Sequence, residues 1–135
     1  MSQKLIEEYT DFVDKVTSEA SKSSNKMNER IEYLGSHGVK VSRLLTAGIG
    51  FSGEIGEFNE IIKKIMFQEK TFDAASHEHM KKELGDIMWY VIQACLALNI
   101  DLTDVIKANK EKLSQRFPRN HFNAKDSDNR KVGDI

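Results

Sequence analysis

Four carboxylates give this sequence its clearest chemical possibility. Glu54 and Glu57 stand three residues apart in Gly53-Glu54-Ile55-Gly56-Glu57, and Glu83 and Asp86 repeat the spacing in Lys82-Glu83-Leu84-Gly85-Asp86. On a helix, residues at i and i+3 project from the same side, so each segment presents a pair of acids. Ile55 and Phe58 flank the first pair, and Leu84 and Ile87 flank the second, which places both near an apolar interior. Two such helices packed antiparallel bring four carboxylates together. Like charges crowded into a partly desolvated cleft either take up protons or enclose cations. All four candidate ligands are hard oxygens, and neither pair has the Glu-x-x-His pattern of di-iron bundles, so the set favours Mg²⁺, with Mn²⁺ as a substitute.

A single acidic pair at this spacing is ordinarily a solvated helix face. Two pairs on neighbouring helices are harder to assign to solvent. Each also encloses a glycine, Gly56 or Gly85, at a cost in helix propensity of roughly 1 kcal/mol relative to alanine. Close approach of backbone or of a ligand would justify that cost.

The elements that must hold these acids are helical. Leu5, Ile6, Tyr9, Phe12, Val13 and Val16 recur at three- and four-residue intervals, marking an amphipathic helix near the N-terminus. Residues 18–28 are polar and serine-rich without a strong apolar stripe, and either an extension of the first helix or a crossover satisfies them. Gly35-Ser36-His37-Gly38 reads as a break. Ser42 is the expected N-cap of a second helix that carries apolar residues from Leu44 to Met66. A polar connection over 68–76 leads to a third helix with Leu84, Ile87, Met88, Val91, Cys95 and Leu98 on its inward stripe, and Asn99 is its expected C-cap. Asp101 or Thr103 can begin a fourth helix, which the chain's only proline, Pro118, ends.

The predicted class is therefore all-α, a four-to-five-helix bundle over residues 1–118 followed by a polar C-terminal tail at 119–135. No β-alternating run of useful length interrupts the pattern. Gly48-Ile49-Gly50-Phe51-Ser52-Gly53 matches a dinucleotide-binding fingerprint, but it falls inside a helical pattern with no preceding strand. Small residues for tight helix packing are the better explanation.

With 135 residues, 39% of them hydrophobic, the chain can supply one core. Charged residues make up 30% and nearly cancel to a net charge of −1, so nothing global draws the chain to nucleic acid or to an anionic membrane. No stretch approaches the length of a membrane span, and no signal-type apolar segment opens the chain, so a cytoplasmic protein is expected. The single cysteine, Cys95, lies in an apolar run, excludes an intrachain disulfide and reads as a small core residue.

Together the motif segments resemble the MazG-like family of all-α nucleoside triphosphate pyrophosphohydrolases. Leu44-Leu45-Thr46-Ala47 through Gly53-Glu54-Ile55-Gly56-Glu57-Phe58 looks like the family's first motif helix, and Glu83-Leu84-Gly85-Asp86-Ile87-Met88-Trp89-Tyr90 looks like its second. Leu98-Asn99-Ile100-Asp101-Leu102, Asn109-Lys110-Glu111-Lys112-Leu113 and Arg116-Phe117-Pro118 are similar to its closing segment. The resemblance covers roughly residues 42–118. It implies Mg²⁺-dependent hydrolysis of a ribo- or deoxyribonucleoside triphosphate to monophosphate and pyrophosphate, with Glu54, Glu57, Glu83 and Asp86 as metal ligands. One of these acids would also orient or deprotonate the attacking water. Asn109 and Lys112 are implied phosphate contacts, and Tyr90, one turn beyond Asp86, an implied support by hydrogen bonding.

Among the basic residues that could hold a triphosphate, Lys64, Lys112 and Arg116 rank ahead of Lys63, Lys81 and Lys82, which are read as solvated. Trp89 reads as a core or subunit-interface residue rather than a base-stacking platform, and His37, Arg43, Phe51 and Phe67 single out no base. His77 and His79 lack the further ligands of a structural zinc site and read as decoration at the start of the third helix. The apolar surface exceeds what one short chain hides, so a homo-oligomer is expected, a tetramer ahead of a dimer. A noncatalytic nucleotide-sensing or interaction bundle is the competing reading.

Overall fold

A computed structural model describes residues 3–128. Among them the chain forms seven helices and no strand: α1 Gln3–Val16, α2 Glu19–Lys22, α3 Ser24–Ser36, α4 Val41–Phe67, α5 Ala74–Leu98, α6 Leu102–Arg116 and α7 Ala124–Asp128. The all-α class holds, but the helix number exceeds the four to five expected. Residues 18–28 account for part of the difference. They form neither an extension of α1 nor an irregular crossover, because Ser23 stops α2 in extended conformation and caps α3 by accepting a hydrogen bond from the Lys26 N–H at 3.4 Å. Within the polar tail lies α7, begun where the Asn123 side chain accepts from the Lys125 N–H at 2.9 Å. Residues 129–135 of that tail lie outside the described residues.

The architecture rests on an antiparallel hairpin of α4 and α5, the most extensive helix pairing among the described residues. A connection as short as 68–73 forces two long helices to run back along each other. That connection is itself built. The Asp73 carboxylate accepts from the Ser76 N–H at 2.8 Å, and the buried Ser76 hydroxyl donates to the Thr71 carbonyl at 3.3 Å. Hydrogen bonding to Ser76 holds the Asp73 carboxyl below its ordinary range.

At the far end of the hairpin the Lys40 N–H donates to the Ala97 carbonyl at 2.9 Å, clipping the start of α4 to the end of α5. This bond explains a correction. Lys40 rather than Ser42 is the N-cap of α4, without a side-chain cap bond, because a tertiary hydrogen bond fixes where the chain turns into the helix. Asn99 ends α5 in the left-handed region at φ 54°, as expected of an asparagine cap. Asp101, of the two candidates, opens α6 by accepting from the Thr103 N–H at 2.6 Å.

Ala47 and Ile61 from α4 and Cys95 and Ala97 from α5 form the buried apolar core. It is thin. The whole α1 stripe from Leu5 to Val16 is exposed, as are Leu45, Ile49, Leu84, Met88 and Trp89 on the hairpin. No described helix is long and apolar enough to cross a membrane.

Candidate metal centre

The hairpin register sets Glu54 and Glu57 of α4 opposite Glu83 of α5. One carboxylate oxygen from each of the three lies within 4.8 Å of the others. Their environments differ: Glu83 is buried, Glu54 half-buried and Glu57 exposed. Asp86 is exposed and outside this tight group, yet its charge reaches the site. The Glu54 carboxyl is pushed above its ordinary value by partial burial, then by the charges of Asp86, Glu57 and Glu83, and by a hydrogen bond shared with Glu83. Three acids from two helices thus converge, with the fourth acting electrostatically on Glu54.

Glu83 carries the most informative geometry. Its Oε1 lies 2.9 Å from His79 Nε2, one turn earlier on α5. Its Oε2 is fully buried and has no hydrogen-bond partner. A buried carboxylate oxygen without a partner is costly, and a cation is the natural means of satisfying it. The donor set suits a hard divalent ion such as Mg²⁺, because each of the three residues offers a carboxylate oxygen and two helices supply them.

Beside the acids, Gly53, Gly56, Glu57, Lys64 and His79 line a cleft of about 320 Å³. Lys64 reaches it while paired with Glu60 at 3.4 Å, and Lys63 also pairs with Glu60. The glycines between the acids are not packing devices. A Cβ added at Gly56 or Gly85, or at Gly48 or Gly53 in the preceding glycine cluster, would meet nothing within 4 Å. Gly50 is the exception, since a Cβ there would fall 2.0 Å from the Tyr90 ring. Tyr90 therefore lies across α4 one turn before Glu54, with Phe51 at 6.4 Å and Trp89 at 4.8 Å between ring centroids. Its observed contacts are those of a packing residue that sets how α4 meets α5.

The remaining sequence candidates sit on α6, which is not packed extensively along α4 or α5 among the described residues. Lys112 and Arg116 are half-buried there, and Asn109 lines a separate cavity of about 470 Å³ with Leu113, Phe117 and Phe122. None of these three residues lines the cleft beside the acids. Of the two neighbouring histidines, His77 stands edge-on to Phe72 at 6.4 Å, whereas His79 touches the site. Sequence reasoning treated the two as one motif. The available signal was the i, i+4 spacing of His79 and Glu83, which puts them on one helix face.

Comparison with known proteins agrees with this geometry. The MazG nucleotide pyrophosphohydrolase domain matches residues 45–121, which include all four acids and α6. A 72-residue segment is 35% identical to the "Gene 37 protein" of Mycobacterium phage L5, covering 53% of this chain and 63% of that relative. The match thus spans less than two thirds of the relative's length. No solved structure matches. With the family pattern extending over more than half of the sequence and its acids gathered between two long helices, the chain belongs to the MazG nucleotide pyrophosphohydrolase domain family.

Proposed function

We infer that the chain hydrolyses nucleoside triphosphates to monophosphate and pyrophosphate with Mg²⁺ held by Glu54, Glu57, Glu83 and Asp86, and with Mn²⁺ able to substitute. The observation that carries this reading is the unpartnered buried oxygen of Glu83, on a carboxylate grouped with those of Glu54 and Glu57. Bound metal would neutralise phosphate charge and lower the barrier to water attack at the α-phosphorus. The chain's own contribution is positional. Glu83 supplies a fixed oxygen, the exposed Glu57 can accept a proton from water, and Lys64 offers a cation along the cleft beside it.

Asn109, Lys112 and Arg116 are proposed phosphate contacts, and Tyr90 a support of the site through α4. The α6 residues would approach phosphate in a homo-oligomer, because the exposed apolar faces of the hairpin leave room for helices beyond those of one chain.

The test is release of pyrophosphate and monophosphate across the common ribo- and deoxyribonucleoside triphosphates, with and without Mg²⁺. Pyrophosphate appearing only with the metal supports the reading. Release of orthophosphate instead, or no turnover as expected of a noncatalytic sensing bundle, would overturn it.

A further inference from the structure

We propose that His79 is a positioning residue that holds Glu83 by one oxygen so that the other is presented to the metal. This inference rests on the metal reading above and assigns separate tasks to the two oxygens of one carboxylate. The imidazole Nε2 is 2.9 Å from Glu83 Oε1, and with Glu83 ionised the proton between them belongs to Nε2. The bond restrains rotation of a carboxylate whose other oxygen, Oε2, has no hydrogen-bond partner. Oε2, buried and unpartnered, is the oxygen that His79 leaves free on a carboxylate grouped with Glu54 and Glu57.

The two ends of the pair are unlike in burial, with side-chain exposure of 53% for His79 and 7% for Glu83. His79 is therefore a surface side chain reaching inward, and little of the core depends on it. Its position at the lip of the cleft with Lys64 and Glu57 places it beside the acids without making it a member of their group. Direct ligation through Nε2 would break the bond to Oε1 and leave two oxygens of Glu83 to be satisfied. Carboxylates that bind metal ions are commonly held by such outer hydrogen bonds, and losing one typically weakens metal affinity by about 10–100-fold.

The side chains available for substitution make the test selective. Glutamine places its amide nitrogen the same number of bonds from Cβ as histidine Nε2, whereas asparagine places it where Nδ1 stands. Mn²⁺ affinity of the full chain is measured at neutral pH from the electron paramagnetic resonance signal of the free ion, together with metal-free thermal melts. His79→Ala and His79→Asn should bind Mn²⁺ about 10–100-fold more weakly with unchanged melts, and His79→Gln should recover most of the affinity. Affinities equal to wild type in all three variants would overturn the role of His79 while leaving the metal site intact. Glutamine binding as weakly as alanine would overturn the donor geometry, and a wild type that binds no Mn²⁺ would remove this inference together with the metal reading.

Discussion

Glu54 has opposing effects depending on whether a cation is present, and glutamine at that position separates them. Without metal its raised carboxyl means that the folded chain holds the proton more tightly than the unfolded chain does. Its contribution to stability is complete below the ordinary value of 4.5 and is lost as the pH rises through the raised value. Metal-free Glu54→Gln should therefore melt higher than wild type at neutral pH, and the gap should close as the pH falls below 4.5. With Mg²⁺ the order changes: wild type should gain more stability than the variant, whose metal affinity should fall by about tenfold or more. Melting curves over a pH series, with and without metal, read both effects. A variant that loses stability without metal would mark Glu54 as a structural acid instead. Lys112→Ala probes the proposed phosphate contacts, and a fall in kcat/KM of about tenfold with an unchanged melt is expected if its charge meets the substrate.

Glycines within α4 show how the same residue type can serve opposite ends in one helix. Gly50→Ala drives a methyl group into the Tyr90 ring and should cost about 1–3 kcal/mol, measured by denaturant unfolding. Truncating Tyr90 to alanine in the same chain should relieve much of that added strain. Gly56→Ala meets no neighbour and should stabilise the metal-free protein by about 0.5–1 kcal/mol through helix propensity. Because Gly56 lines the cleft beside Glu57, the same change should lower turnover. Stability rising while activity falls would mean that the gap serves a ligand.

These positions also show what a sequence can convey. The acid pairs and the stops at Asn99 and Pro118 were legible because spacing and cap chemistry are local. The Gly50–Tyr90 contact depends on how two distant segments align, which periodicity alone does not specify. Ser42 misled for the same reason: a serine before an apolar run is a good local cap, but the bond from Lys40 to Ala97 sets the helix start earlier. His79 had a readable spacing to Glu83, yet the adjacent His77 suggested a different motif.

At the scale of the whole molecule, thin burial is the dominant fact. Among the described residues Ala47, Ile61, Cys95 and Ala97 are the buried apolar ones, while Phe12 and Trp89 are 58% and 52% exposed. Sedimentation at micromolar concentration should give a multiple of the 15.4 kDa chain mass, and a monomer would show that these faces stay open. The sequence suggested this surplus of apolar surface, but it could not say that, among the described residues, α6 would not pack extensively along the acid-bearing hairpin. The bond between Lys40 and Ala97 carries a consequence for motion. The Lys40 amide lies outside any helix, yet its acceptor belongs to a residue with 0% exposure. In hydrogen–deuterium exchange it should trade its proton as slowly as the buried stretches of α5, because release requires the two long helices to part. One amide in a loop would then act as a clock for the opening of the scaffold that holds the acids.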